Sequence, residues 1–174
     1  LALLKRVKVV DLSYNLIQKL PIEYAGWRRL EKLNLSNNKI KNLPIKLRNL
    51  KRLKYLDLSH NQLLAPPNAI VGMRRLNYLD LSYNQLIKIP SGIGNLREAT
   101  KINLSHNQIT SIHRRFGDAK GLIELDLSHN QLKKLPTTLY KLRNLKLLDL
   151  RGNNISKKEK ERIEKMLPST KIIF

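Results

Sequence analysis

The chain has 174 residues, with 34 Lys and Arg against 13 Asp and Glu, a formal net charge of +21 and no cysteine. The lack of cysteine excludes disulfides and thiolate metal sites, and it favours a reducing, cytoplasmic compartment. No run of about 18 apolar residues occurs, so the sequence predicts no transmembrane segment. The positive charge predicts an affinity for something acidic, or else a self-repelling, soluble surface.

The first residues begin in the middle of a repeating pattern, since Leu1 and Leu4 have the phase of Leu47 and Leu50. A repeat array needs a polar cap over its terminal layer, and this segment supplies none. We therefore expect a longer protein, or another domain or subunit that covers the N-terminal layer. Trp27 also falls at a leucine phase, which predicts that its ring fills the core.

From here one asparagine recurs every 23 residues, at Asn15, Asn38, Asn61, Asn84, Asn107, Asn130 and Asn153. Apolar residues stand at fixed distances around it, as in the stretch 53–63. A self-similar period of about 20 to 29 residues indicates a repeat architecture. Residues 1–155 are predicted to form one elongated domain of seven repeats, of which the first is truncated.

Each repeat predicts a short strand followed by a return limb. Leu56 and Leu58 alternate with more polar neighbours, which is typical of a strand with one buried and one open face. Ile70 and Met73, three residues apart, predict an extended or 3₁₀-like limb. One repeat buries too little apolar surface to fold alone, so repeats must stack and pair their strands in parallel. The repeated asparagine is predicted to satisfy main-chain groups where the strand turns away.

The fifth repeat departs most from this pattern, because Ala99 and Ala119 stand where other repeats have leucine. We expect this layer to be thinner and to open first in hydrogen exchange.

The pattern changes in residues 156–174, which are predicted to form a capping helix and an edge strand. Ser156 and Glu159 have the spacing of a capping box at a helix start. Glu161 and Lys165 predict an ion pair one turn apart. The last four residues are expected to lie beside the last strand of the repeats.

The phrase L-x-x-L-x-L-x-x-N-x-L-x-x-L-P-x-x-L-x-x-L spans residues 30–50 and 122–142. It resembles the 23-residue class of intracellular leucine-rich repeats, which includes Ras-pathway scaffold proteins, the Scribble group and many bacterial proteins. The C-terminal segment is similar to the helix-then-strand terminator of bacterial members. The resemblance implies an α/β right-handed solenoid with a concave parallel sheet, and partner binding without catalysis.

Two chemical alternatives are weighed against this framework. Asp57, Ser59 and His60 lie together on the open side and suggest a nucleophile with its base, but strand residues lack the mutual contacts that a triad needs. His106 and His129, about 5 Å apart on adjacent strands, could bind a metal weakly, although two histidines make a poor zinc site. We predict no catalytic residue, no metal site and no cofactor.

A cluster of aromatic and basic side chains on the open face is the first candidate site. Tyr55 and Tyr78 are equivalent residues on adjacent strands, and rigid tyrosines are good contact anchors. The alternative is that tyrosine simply favours strands. The predicted partner-binding residues are Tyr55, Tyr78, Tyr83, His60, Lys101, His106 and His129.

A row of positive charge is the second candidate. One basic residue precedes each strand at the same phase: Lys5, Arg28, Lys51, Arg74, Arg97, Lys120 and Arg143. This basic edge could attract a nucleic acid or an anionic membrane. However, the strand spacing of about 4.8 Å does not match the roughly 3.4 Å rise of a nucleic-acid strand. A solvated edge that binds nothing is the other interpretation.

Together these features predict a non-enzymatic scaffold that binds another protein on its concave face, centred on the third to fifth repeats, with no small-molecule substrate. The first alternative is polyanion binding through the basic edge. The second is the recognition arm of a larger multidomain enzyme.

Overall fold

The computed structural model of the chain describes residues 6–20 and 27–174, so the predictions on Leu1, Leu4 and Lys5 lie outside the described residues. In the described part, eight parallel strands form one sheet, which includes the last strand of the chain. A second, two-stranded sheet lies away from it. The strands are β1 (Val9–Asp11), β2 (Lys32–Asn34), β3 (Tyr55–Asp57), β4 (Tyr78–Asp80), β5 (Lys88–Ile89), β6 (Lys101–Asn103), β7 (Ser111–Ile112), β8 (Glu124–Asp126), β9 (Leu147–Asp149) and β10 (Lys171–Ile173).

The 23-residue period fixes the register of the main sheet. Tyr55 in β3 lies beside Tyr78 in β4, and Leu56 lies beside Leu79, so each repeat pairs with its successor at the same phase. The middle residue of each of these strands turns inward, and Leu56 is fully buried. The first and third strand residues therefore share the open face.

The return limbs of the second to sixth repeats each contain a short 3₁₀ helix, as the apolar spacing predicts. These helices span Ile45–Asn49, Asn68–Gly72, Ser91–Asn95, Arg114–Asp118 and Thr137–Lys141. Proline precedes four of them, at residues 44, 67, 90 and 136. Its fixed φ and missing N–H suit the start of a helical turn. In the fifth repeat His113 replaces it, and the His113 ring accepts a hydrogen bond from the Arg115 N–H at 3.1 Å.

The core is one continuous column of aliphatic layers, and Trp27 is buried in it as predicted. In the fifth repeat Ala99 and Ala119 are also fully buried, and Phe116 is among the largest fully buried side chains. Phe116 stands where the second, third, fourth and sixth limbs carry isoleucine or leucine, and it restores part of the volume that the alanines remove. Earlier opening of this repeat stays a prediction.

The repeated asparagine joins neighbouring repeats, and Asn84 shows how. Its Oδ1 accepts from the Leu63 N–H at 2.9 Å. Its Nδ2 donates to the Leu58 carbonyl at 2.9 Å and to the Leu81 carbonyl at 3.1 Å. Leu58 and Leu63 belong to the preceding repeat, so one buried amide ties two layers together and confirms the predicted role.

The C-terminal segment folds as helix α1 (Lys157–Met166) followed by β10, which pairs in parallel with β9. Ser156 caps the helix by accepting from the Glu159 N–H at 3.3 Å. The return half of the predicted capping box is wrong, because Glu159 instead accepts from the Leu135 N–H at 3.1 Å. The Glu161–Lys165 pair is also wrong. The ion pair within this helix joins Arg162 to Glu159.

Arg162 completes the docking of this helix, since it donates to the Leu135 carbonyl at 2.6 Å. Glu159 and Arg162 thus satisfy both main-chain groups of one residue in the preceding repeat. A charge-assisted pair on each group is stronger than a neutral one. The Glu159 carboxylate accepts from Leu135 in the repeats, so Ser156 is the side chain that caps the start of the helix.

Candidate functional site

Tyr55 and Tyr78 form a stacked pair at the start of β3 and β4. Their ring centroids lie 4.5 Å apart with an interplanar angle of 3°. The strand register puts the two residues side by side, so the stacking follows from the repeat length itself. Both side chains are half-buried. The pair therefore offers a continuous aromatic surface on the open face.

Two aspartates hold the phenols of this pair. The Tyr78 hydroxyl donates to Asp80 Oδ2 at 3.0 Å, and the Tyr55 hydroxyl donates to Asp57 Oδ2 at 3.4 Å. Burial, followed by the nearby Asp80 charge, raises the pKa of Tyr78 far above its usual value. Burial and then Asp57 raise the pKa of Tyr55 in the same way. Both hydroxyls consequently stay protonated at any physiological pH and act as hydrogen-bond donors.

The same aspartates hold the turn after each strand. Asp57 Oδ1 accepts from the N–H and the hydroxyl of Ser59 at 2.9 and 2.7 Å. Asp80 does the same for Ser82. Ser59 and Ser82 are buried, which corrects the prediction that Ser59 lies on the open side. The Ser59 and Ser82 hydroxyls donate to carboxylates within their own turns. Each aspartate thus uses Oδ1 to hold the turn and Oδ2 to accept from a tyrosine hydroxyl.

A second aromatic column follows the strands. His60, Tyr83, His106 and His129 stack in sequence, with centroid separations of 4.1, 4.1 and 4.2 Å. Each has a positive φ, from 52° to 53°. The left-handed backbone conformation at each position lets the ring stack on the equivalent ring of the next repeat. The column ends at Gly152, where a Cβ would come within 2.7 Å of the His129 ring.

Sequence analysis predicted these four residues but missed their left-handed conformation. One signal was available, because Asn37 and Gly152 share the same phase, and asparagine and glycine are the residues that most often adopt a positive φ. Histidine is also enriched there, whereas tyrosine at Tyr83 is an unusual occupant. The strain at each position is compensated by the repeat framework on both sides.

His106 lies in the middle of this column. Burial lowers its pKa, as does the neighbouring His129, while Asp126 partly opposes the shift. The ring stacks face to face with His129. Among residues 6–20 and 27–174, no group of three or more His, Asp or Glu side chains is arranged to hold a metal ion.

Lys101 continues the first column next to Tyr78, in register on β6. Its ammonium pairs with Glu124 on the following strand at 2.7 Å. Both side chains are close to half exposed, so the pair contributes little to stability. Glu124, which sequence analysis did not include, cancels the charge of Lys101 at this end of the site.

The basic edge lies on the surface of the described repeats. Arg28, Lys51, Arg74, Arg97, Lys120 and Arg143 are all exposed, and Lys5 lies outside the described residues. Lys51, Arg74 and Arg97 line one groove of about 850 Å³ beside the limbs of the second to fourth repeats. The basic edge and the open face are separate surfaces of each repeat.

The repeat geometry has a counterpart among known families. The family model described as "Leucine rich repeat" matches residues 5–63, 28–86, 64–109 and 97–155. The chain belongs to the leucine-rich repeat family. The narrower 23-residue intracellular class stays a prediction. A comparison with curated protein sequences gives no match.

Two solved leucine-rich repeat structures are similar to this chain. A Leptospira interrogans leucine-rich repeat protein is 28% identical, with a TM-score of 0.57 over 99% of this chain and 56% of its own. An internalin (InlF) of Listeria monocytogenes is 22% identical, with a TM-score of 0.82 over 99% of this chain and 48% of its own. The chain thus spans about half the length of each protein. These likenesses confirm a leucine-rich repeat solenoid, whose sheet is the concave face in this family.

The described residues also contain no helix that is long and apolar enough to cross a membrane.

Proposed function

We propose that this leucine-rich repeat chain is a non-enzymatic scaffold that binds a partner protein on the concave face of its sheet. The observation that carries the proposal is the stacked Tyr55–Tyr78 pair, with both hydroxyls held by aspartates. Aromatic side chains that are fixed before binding lose little conformational entropy when a partner arrives. Tyrosine is also among the residues that dominate binding energy at protein interfaces.

The second column extends the proposed surface. His60 and Tyr83 lie in the same repeats as the tyrosine pair, and His106 and His129 continue the column over the next two repeats. Tyr83 is 46% exposed although it is stacked on both sides, so much of its surface is open to a partner. The proposed site has two parallel aromatic tracks on a rigid sheet, with the aspartates between them.

The Tyr55→Ala/Tyr78→Ala double variant tests the proposal. A partner captured from an extract of the source cells by the immobilised wild-type chain is identified, purified and titrated against each variant. We expect the double variant to bind at least about tenfold more weakly, which corresponds to about 1.4 kcal/mol. Equal affinity would remove the tyrosines from the site and refute the proposal.

Tyr140→Ala is the matched control. Tyr140 is also an exposed tyrosine, but it lies on the limb helix Thr137–Lys141, away from the sheet. Its removal should leave the affinity unchanged. Urea unfolding of each variant shows whether a loss of binding reflects a loss of folding. A Tyr78→Phe variant keeps the stacked ring and removes only the hydroxyl, so it separates the ring contact from the hydrogen bond to Asp80.

A further inference from the structure

The groove on the basic edge has a specific origin in the sequence. Gly72 ends the limb helix of the third repeat, and its Cβ would come within 2.7 Å of Arg48 Cβ and 2.9 Å of the Arg48 carbonyl oxygen. The same phase holds Asn49, Asn95 and Asp118 in other repeats. The absence of a side chain at Gly72 therefore lets two limbs approach closely and leaves a depression above them.

Four cations surround this depression. Arg48, Lys51, Arg74 and Arg97 line it, against the single carboxylate of Glu98. Among the described residues, none of the four cations takes part in an ion pair. Lys51 Nζ donates to the Gly72 carbonyl at 3.2 Å, which holds its ammonium at the floor of the groove.

One limb further along the chain carries its own counterion. Asp118 stands at the phase of Gly72, and its carboxylate lies 3.7 Å from the Lys141 ammonium. Gly72 and its nearest equivalents, Asn49 and Asn95, supply no such carboxylate, so Glu98 is the one acid beside the four cations of the groove. What distinguishes the groove is that it gathers four of these cations around one concave surface.

Apolar surface accompanies this charge. Ile45 is 53% exposed, and Val71 is half-buried in the lining. The lining contains no aromatic ring on which a base could stack, and base stacking is the usual component of single-stranded nucleic-acid binding. Its volume of about 850 Å³ lies within the range of ligand pockets, about 300 to 1,000 Å³.

From the charge, the apolar rim and the lack of aromatic rings, we propose that this groove binds a short acidic segment of a partner protein, in which Asp or Glu side chains are interspersed with aliphatic ones. Its carboxylates pair with Arg74, Arg97 and Arg48, because a guanidinium can hold a carboxylate with two parallel hydrogen bonds. An aliphatic side chain of the segment packs on Ile45 and Val71. The site is independent of the concave face.

The probe is a fluorescein-labelled ten-residue peptide that alternates Glu and Leu, with a Gln-for-Glu version as its uncharged counterpart. Anisotropy at near-physiological salt measures its affinity for the whole chain. We expect the Glu peptide to bind and the Gln peptide not to bind. The Arg74→Glu/Arg97→Glu variant should weaken binding at least about tenfold, since it removes two charge-assisted hydrogen bonds and adds two repelling carboxylates.

Lys157→Glu/Lys158→Glu is the matched control. It changes the net charge by the same amount on exposed residues at the start of α1. This variant should retain affinity within about twofold of wild type. An equal loss in both variants would show attraction to bulk charge and would overturn the proposal. Absence of binding to the Glu peptide would overturn it as well.

Further measurements test whether nucleic acid occupies the groove instead and whether this site is separate from the concave face. A single-stranded DNA oligonucleotide of equal charge that displaces the peptide at lower concentration would assign the groove to nucleic acid and overturn the proposal. A Gly72→Asn variant introduces the polar side chain that the neighbouring repeats carry, without changing the net charge. It should also lower the affinity for the Glu peptide. Tyr55→Ala/Tyr78→Ala should not affect the peptide, so the two proposals fail separately.

Discussion

Replacing Asn84 with alanine tests the bonds that hold the repeats together. In the native chain Asn84 is buried and bonds main-chain groups of its own repeat and of the preceding one. Alanine removes all of these bonds and keeps the backbone free to adopt the same turn. The variant therefore isolates the side-chain amide.

The magnitude follows from what each partner retains. The Leu58 carbonyl keeps a bond from Asn61 Nδ2 at 3.1 Å, and the Leu81 carbonyl keeps one from Asn107 Nδ2 at 3.0 Å. The Leu63 N–H bonds Asn84 Oδ1, the acceptor that alanine deletes. A buried N–H without an acceptor costs about 1–3 kcal/mol, and each shared bond adds about 0.5–1.5 kcal/mol. We expect a loss of about 3 kcal/mol in the free energy of unfolding.

Urea unfolding followed by circular dichroism gives the free energy, and hydrogen exchange at the Leu63 amide reports on the orphaned group directly. Asn15→Ala is the control. Asn15 is exposed, and in the described part of the chain its amide donates only to Leu12 and Ser13 of its own turn. Its loss should cost much less. If the two variants were equally stable, or if Leu63 exchanged no faster, the asparagines would not be what joins the layers.

Two further predictions use other features of the fold. Gly94→Ala places a Cβ on the Arg115 carbonyl oxygen, which belongs to the backbone and cannot yield, whereas Gly92→Ala meets only the Val71 side chain. The free energy of unfolding, measured in urea, should fall by about 1–3 kcal/mol for the first variant and far less for the second. The reverse order would refute the close approach of the limbs. The second prediction concerns His106, whose pKa is lowered first by burial and then by His129 and His60, while Asp126 opposes the shift. Around pH 6.5 the unfolded chain therefore binds more protons at this residue than the folded chain does. The contribution of this group to stability should therefore be constant above about pH 7 and should decline as the pH falls through about 6.5 toward the lowered folded-state pKa. His106→Gln should reduce that slope when unfolding is measured at several pH values.

The general fold could be predicted from the sequence because one number determines it. A period of 23 residues places Leu56 on Leu79 and Tyr55 on Tyr78 without any knowledge of side-chain geometry. Strand, limb and terminal edge strand follow from apolar spacing. Equal phase also brings the aromatic residues together, so most of the candidate site was predictable as columns.

Other details depend on neighbours in space that the period does not reveal. Glu159 has the spacing of a capping box, but Leu135 offers a buried N–H and draws the carboxylate away. The groove depends on the loss of one side chain at Gly72, which looks unremarkable in the sequence until the Arg48 backbone is seen beside it. The positive φ of His60 and its equivalents likewise follows from a turn that the apolar pattern does not specify.

The columns of the open face differ in how freely they can vary, and this explains why the fold is easier to predict than the partner. In the main sheet, the third strand position holds Asp or Asn in every strand from β1 to β9, because its oxygen accepts from the turn that follows, as Asp57 Oδ1 does from Ser59. The residue at the first strand position accepts no hydrogen bond from the turn, and it changes from lysine in β2 to tyrosine in β3 and β4 and to leucine in β9. Framework positions are repeated and so can be recognised from one chain. A variable position on the open face is constrained by the surface that it contacts and not by the repeat. One chain alone therefore does not predict the partner.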